Sequence, residues 1–350
     1  MAFFISRIHL HCFGNRCYHL QIFRNRIGTQ RGIRFGCIID SLRYFPSCTS
    51  CNINQKQGLK MKKLFFLLIA MSAIALSCSK EKKPEVDMPN KGEITITTDE
   101  SFQSVTEALV ERYMALYPNT KINIVVKKED LGFLDLLDKK TRVIVMSREL
   151  SDKEKQAFDQ KVDLPWLPAK FAADAVLFVV PKDSPLESIS MEDIYKELQS
   201  DDKKIIFDGT NSSNLNFVAQ TFQKSPSELK FSIINGNENV AEQLKNHPGK
   251  IGVISYNTIS RPFGKEAEKL RNELKVLKVI KNNKAFEVSN DNLKNMSYPF
   301  TRVLYFLTNE PYYGLGNGLI RFSCQQLGQI VVEKEGLQPY HIFNREVQMR

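Results

Sequence analysis

From Gly92 onward the chain switches between two hydrophobic periods, and that switching limits the folds open to it. Glu93-Ile94-Thr95-Ile96-Thr97-Thr98 alternates as a strand does, and Val105, Leu109, Tyr113 and Leu116 then recur near the helical period until Pro118 stops them. Lys121 to Val126 reads as the next strand, Leu131 to Leu137 as a short helix and Thr141 to Met146 as a third strand. A β-α-β-α-β order predicts an α/β fold with a mostly parallel sheet and right-handed crossovers. Ligands on such sheets lie at the carboxyl ends of the strands.

Three strand ends carry short polar loops that lead into helices. They are Thr98-Asp99-Glu100-Ser101, Ser147-Arg148-Glu149, and Asp208 to Asn214 after the strand Lys204 to Phe207. A helix start offers unpaired N–H groups and a partial positive charge, so such loops can hold an anion without a lysine. Ser101, Ser151 and Ser213 can equally serve as plain helix caps. Three loops at equivalent strand ends favour one shared anion site.

A second lobe is expected to begin with the apolar run Ala173 to Val180. It continues through a helix from Met191 to Leu198 capped by Ser190, the segment Val240 to Leu244 and a strand from Lys250 to Ser255. The chain then returns through Tyr298 to Tyr305 and closes with a helix from about Leu319 to Glu333. That gives lobe one as residues 92–172 and 299–350 and lobe two as 173–298. Two lobes joined by two crossings make a hinged cleft.

The region before Gly92 has a different character. Met61-Lys62-Lys63, the 13-residue apolar run Leu64 to Leu76 and Ser77-Cys78 form an export signal, too short to span a bilayer. Ala75-Leu76-Ser77-Cys78 resembles a bacterial lipoprotein signal, in which Cys78 is lipidated and becomes the first mature residue; an ordinary cleaved signal with an incidental cysteine is the alternative. Such a signal does not work from position 61, so residues 1–60 are expected to be upstream sequence translated from too early a start. Residues 79–91, rich in Lys, Glu and Pro, read as a tether. Cys12, Cys17, Cys37, Cys48 and Cys51 all precede residue 60, leaving Cys78 and Cys324. His9, His11 and the early cysteines lack the second paired half of a metal site, so no metal and no cofactor is expected.

Charge excludes another class of partner. The chain has 49 Lys+Arg and 39 Asp+Glu, but eleven of the basic residues and one acidic residue precede Ser79, leaving 38 of each sign. A domain with no net charge has no general pull on a phosphate backbone, which argues against nucleic acid. No G-x-S-x-G elbow or HExxH motif is present, and only His247 and His341 follow the signal, which argues against a hydrolase.

Several segments taken together resemble the phosphate-binding proteins of phosphate-specific ABC transporters, of the periplasmic binding protein class. They are Val145-Met146-Ser147-Arg148-Glu149-Leu150-Ser151 with Glu154, Ala172-Ala173-Asp174-Ala175, Asn211-Ser212-Ser213-Asn214, Pro248 to Tyr256 and Tyr298-Pro299-Phe300-Thr301-Arg302. The resemblance covers about Gly92 to Tyr340 and implies a two-lobe α/β fold with a hinged ligand cleft. It implies anion contacts from Glu100, Ser101 and Phe102, from Ser147 and Arg148, and from Asn211, Ser212 and Ser213. It further implies a lipid-anchored receptor on the periplasmic side that hands phosphate or a similar oxyanion to a permease. A lipoprotein of the same fold used in adhesion or sensing without a transporter is the alternative.

There are two departures. Lys127-Lys128-Glu129-Asp130 stands where the family often has a Gly-Ser-Gly loop, and Phe207-Asp208 where an arginine is common. Asp174 is expected to fix the hinge or a helix end. A carboxylate in the cleft can accept the proton that phosphate still carries near neutral pH and that sulfate lacks. Glu100 or Asp208 is the expected acceptor, the alternative being that Asp99, Glu100 and Asp208 complement helix starts and face water.

Overall fold

The computed structural model describes residues 87–162 and 164–342. The early cysteines, the signal with Cys78 and the tether up to residue 86 lie outside the described residues. Among the described residues no helix is long and apolar enough to cross a membrane.

The alternation beginning at Gly92 folds as read. Strand β1 (Gly92–Thr98) pairs in parallel with β2 (Thr120–Val126) from Gly92↔Thr120 to Thr98↔Val126, and with β3 (Val143–Met146) on its other side. Helix α1 (Gln103–Leu116) joins β1 to β2, α2 (Glu129–Leu137) joins β2 to β3, and α3 (Asp152–Val162) follows. Successive β3 residues point to opposite faces, as a period of two requires. Val143 and Val145 enter one core with Ile94, Ile96, Leu109 and Tyr113, whereas Ile144 and Met146 enter another with Phe133, Leu136 and Phe158.

The 13-residue strand β4 (Ala169–Pro181) belongs to both halves of the main sheet. Up to Ala175 it pairs antiparallel with β12 (Thr301–Thr308), and from Val176 it pairs antiparallel with β8 (Ile251–Ser255). The second half adds β6 (Ile205–Phe207) parallel to β8, β7 (Ser232–Ile233) parallel to β6, and β9 (Leu274–Val276) against β4. Its core is formed by Val176 to Val180, Ile205 to Phe207, Leu215, Val253 and Tyr298. A separate ribbon joins β5 (Ser188–Ser190), β10 (Lys278–Lys281) and β11 (Lys284–Phe286). The pairs β1–β2, β1–β3, β6–β7 and β6–β8 are thus parallel, while β4 and β12, the strands that pass between the halves, run antiparallel to each other and to their other neighbours in the main sheet. The cause is connectivity: the chain leaves the first half along β4 and returns along β12, so the two strands must run in opposite directions.

Two differences from the sequence reading have local causes. The closing helix is two helices, α10 (Leu315–Cys324) and α11 (Gln326–Lys334), because Gln325 is extended at φ −91° and ψ 170°. Gly328 lets the second helix pack closely, since a Cβ there would lie 2.3 Å from the Phe322 carbonyl oxygen. The fold is also tied down before Gly92: Asp87 bonds Arg142 at 2.5 Å and accepts from the Leu315 N–H at 2.7 Å.

Where β4 and β12 pass between the halves, Asp174 and Arg302 are cross-strand partners. Both are fully buried; Arg302 Nε and Nη2 each lie 2.8 Å from Asp174 Oδ2. Asp174 also accepts from Ser255 Oγ at 2.8 Å and from the N–H of Asn257 at 3.0 Å, where α7 (Asn257–Ser260) begins. The guanidinium lies 4.7 Å above the Phe102 ring. Removing one member of a buried pair leaves the other charge uncompensated. Asp174→Ala should therefore cost about 3–5 kcal/mol in urea unfolding, and Asp174→Leu combined with Arg302→Met should cost less than the single change. A single substitution no more costly than the double would show that the pair does not hold this crossing.

Candidate functional site

Three helix starts converge on one side chain, Asp99, which is 1% exposed. Asp99 caps the short 3₁₀ turn Glu100–Phe102 through Oδ1, which accepts from the Ser101 N–H at 2.9 Å and from Ser213 Oγ at 3.2 Å. Oδ2 accepts from the Glu129 N–H at 2.8 Å and the Ser213 N–H at 3.4 Å. Glu129 opens α2 in the first half, and Ser213 opens α5 (Ser213–Thr221) in the second. Two of the three strand-end loops singled out in the sequence, those of Ser101 and Ser213, meet at Asp99; the third partner there is the start of α2, while the Ser147 loop turns to Glu129 instead.

The loop after β3 is arranged around a second carboxylate. Glu129 Oε1 accepts from the Ser147 N–H at 2.6 Å and from Ser147 Oγ at 3.0 Å, while Oε2 lies 3.4 Å from Arg148 Nε. Arg148 is divided among several acids. Its Nη atoms meet Glu154 at 2.7 and 3.0 Å and Asp130 at 2.7 Å, and Tyr305 donates its hydroxyl to the Arg148 carbonyl. Burial pushes the Glu129 carboxyl up to about 7, opposed by Arg148 and reinforced by Asp99. Arg148 is held firmly in its charged form, chiefly by Glu154 and Glu129 against the cost of burial. Arg148 has two other acids, Glu154 and Asp130, to keep it charged, so Glu129 competes for it at a disadvantage.

On the opposite side Lys128 bridges the halves, its Nζ lying 3.2 Å from Asp208 Oδ2 and 3.4 Å from Glu100 Oε2. Burial opposes the ammonium, but Asp208, Asp99 and Glu100 outweigh it and raise the Lys128 pKa. Asp208 is raised too, by burial first, with Lys128 pulling the other way. Asn237, which opens α6 (Asn237–Gln243), completes the network. Its N–H donates to Glu100 Oε1 at 3.0 Å, and its Nδ2 donates to Ser101 Oγ at 3.1 Å and Asp208 Oδ2 at 3.2 Å. Gly236 before it, at φ +95°, permits the approach: a Cβ there would stand 2.7 Å from Glu100 Oε1.

The structure therefore brings together Glu100, Ser101, Ser147, Arg148, Asp208 and Ser213. Ser212 lies beside them as the cap of α5, accepting from the Leu215 N–H at 3.3 Å and donating to the Gly209 carbonyl at 3.2 Å. Phe102 instead faces the core, under Arg302, and Asn211 is exposed. Lys128, Glu129, Asp130 and Asn237 are members the sequence reading missed. The signal for Lys128 was present, since the lysine pair stands where the resemblance suggested a serine loop. Asn237 was marked only by the Asn-Gly-Asn turn that ends in it. Arg302 Nη1 and Asn214 Oδ1 are buried without hydrogen-bond partners, and a cavity of about 450 Å³ lined by Glu100, Gln103, Ser104, Asn237 and Arg261 opens beside the network.

The raised Glu129 carboxyl has a pH consequence. Its protonated form is favoured by folding, so its contribution to stability is fully present below the ordinary value of 4.5 and is lost as pH rises toward about 7. Glu129→Gln should flatten the fall in unfolding free energy between about pH 5 and 7.5. An unchanged slope in urea titrations across that range would show that Glu129 does not take up the proton.

Comparison with known proteins agrees with this architecture. A profile described as a PBP superfamily domain matches residues 83–326. The phosphate-binding protein PstS of Borreliella burgdorferi is 23% identical over 79% of this chain and 98% of its own length. PstS of Pseudomonas aeruginosa is 24% identical over 80% of this chain and 95% of its own length. An ABC-type phosphate transport receptor from Vibrio cholerae superposes with a TM-score of 0.54 at 16% identity, covering 71% of this chain and all of that one. With well over half its length matched by the profile, the chain belongs to the PBP superfamily.

Proposed function

We propose that the protein is an extracytoplasmic receptor that binds phosphate or a related oxyanion between its two halves and delivers it to an ABC permease. The observation that carries this reading is the convergence on Asp99. Four donors from three helix starts, contributed by both halves, surround a single carboxylate. Such a cage suits one compact oxyanion, and backbone donors at helix starts serve an anion without needing a lysine. In this reading Ser101, Ser147, Ser212 and Ser213 are donors, Arg148 adds charge from the side, and Glu100 or Asp208 accepts from a protonated oxyanion. The lobes are residues 92–172 with 299–350, and 173–298, turning about the Asp174–Arg302 crossing. Relatives named for phosphate binding that align over nearly their whole length support the same ligand.

A second reading is favoured by one feature of the same site. Asp99 and Glu129 already take the donors of Ser101, Ser213 and Ser147. A chain that keeps the fold for sensing or adhesion, with no transporter, would show the same saturation.

Calorimetry and thermal scans with phosphate and sulfate separate the two readings. A receptor should gain about 2.7 kcal/mol of stability at a hundredfold excess of phosphate over Kd, with a smaller gain from sulfate. No shift with either anion at millimolar concentration would favour the second reading. We also propose a lipid anchor at Cys78, because more than one acyl chain gives stable membrane attachment. Cys78→Ala should move the protein from the membrane to the soluble fraction; continued sedimentation with membranes would mean that another element holds it.

A further inference from the structure

Asp99 sits where the proposed ligand would have to be. This inference rests on the oxyanion reading and concerns how that site is controlled. Each oxygen of Asp99 already has two donors, and all four come from groups that the proposed site would offer to an external anion. An N–H aimed at a carboxylate oxygen at 2.8 to 2.9 Å cannot bond a second anion with good geometry at the same time. An external oxyanion would also meet the negative charge of Asp99 at close range, with Glu129, Asp208 and Glu100 nearby.

We infer that Asp99 is an internal competitor for the oxyanion site, an autoinhibitory carboxylate that must withdraw from the converging helix starts before an external anion can take them. The arrangement of the chain makes this a contact between halves as well as a local plug. Asp99 lies at the end of β1, while Ser213 lies 114 residues later at the start of α5. The carboxylate therefore ties the halves together in the way a bound anion would. Being part of the chain, it is present at high effective concentration and needs no translational entropy to reach its donors. Lys128, whose charge already acts on Asp99, stands within electrostatic reach of a displaced carboxylate.

Other buried polar atoms fit the same account. Arg302 Nη1 and Asn214 Oδ1 belong to residues that are at least 99% buried, and both lack partners, whereas Asp99 is fully engaged. The N–H and O–H donors of the three helix starts are thus already used; of the partnerless atoms near them, Glu129 Oε2 and Asn214 Oδ1 are acceptors, and Arg148 Nε and Arg302 Nη1 belong to guanidiniums already paired with acids.

The test compares phosphate binding by the wild-type protein, Asp99→Ala and Asp99→Asn, using calorimetry with inorganic phosphate and circular dichroism to confirm folding. Releasing charge-assisted donors to an external anion should tighten phosphate binding by about tenfold or more in Asp99→Ala. Asp99→Asn should shift in the same direction by less, because its amide oxygen still occupies part of the cage. Sodium formate should raise the Tm of Asp99→Ala and leave the wild-type protein unchanged, since a free carboxylate can refill the cage. Tightened binding in either folded variant supports the inference. Equal or weaker phosphate binding in both overturns it, and a loss would make Asp99 part of the ligand site. The two readings fail separately: a wild-type protein that binds no oxyanion counts against the receptor, whereas variants that bind no more tightly count against Asp99 as competitor.

Discussion

The buried pair of Asp174 and Arg302 is the interaction on which the rest of the molecule depends. Both strands that pass between the halves contribute one member, in register with each other. Burying two charges costs several kcal/mol per ion and is offset only when each finds good partners. Asp174 finds them in Arg302, Ser255 and the Asn257 N–H, so one carboxylate fixes β4, β12, the end of β8 and the start of α7. Arg302 spreads its guanidinium over Phe102, which directly follows Ser101. The loop carrying the first helix start is thereby laid on the crossing itself. Movement of one half relative to the other is then felt at Ser101 and Asp99 without any long relay.

The same reasoning explains how several carboxylates can share one small buried region. A buried carboxylate is tolerated in proportion to the donors it receives, each charge-assisted bond being worth about 1.5–3 kcal/mol. Asp99 has four donors, and Asp174 has an arginine and two further donors. Glu129 is the poorly served member, with Ser147 on one oxygen and only a distant Arg148 Nε near the other. Its carboxyl is accordingly pushed up to about 7, and Asp208, also buried, is raised as well. Arg148 gives Glu129 little relief because Glu154 and Asp130 take its better-placed donors.

What the sequence disclosed and what it hid divide along a physical line. The strand reading of Thr141 to Met146 held, and the period of two places Val143 and Val145 in one core and Ile144 and Met146 in another. Strand ends leading into helices marked the loops of Ser101 and Ser213, which meet at Asp99, but not the start of α2 that joins them. Periodicity reports which face of an element is buried, but it is silent on the partner. An aspartate before a helix reads the same whether it faces water or a helix start 114 residues away, so the role of Asp99 could not be read from its neighbours. Phe102 shows the converse case. The resemblance implied an anion contact from Phe102, but its ring packs in the core under the buried Arg302. The break at Gln325 was hidden because the apolar stripe of α11 continues close to the phase of α10.

The contacts between the halves have a polarity of their own. Most run from acceptors of the first half to donors of the second: Asp99 to Ser213, Glu100 to the Asn237 N–H and Asp130 to Asn216. The pair Lys128 and Asp208 runs the other way. Closure here therefore rests on hydrogen bonds and charge more than on apolar area. An interface of that kind can exchange its bonds for water, which suits the hinged reading proposed above. A first half lined with carboxylates has a further consequence. Any anion that comes to lie between the halves must draw its favourable contacts from helix starts and from the second half, while the acids of the first half oppose it. In the receptor reading proposed above, selectivity would come from which anion can turn a proton toward those acids, since a fully ionised one would meet only repulsion from them.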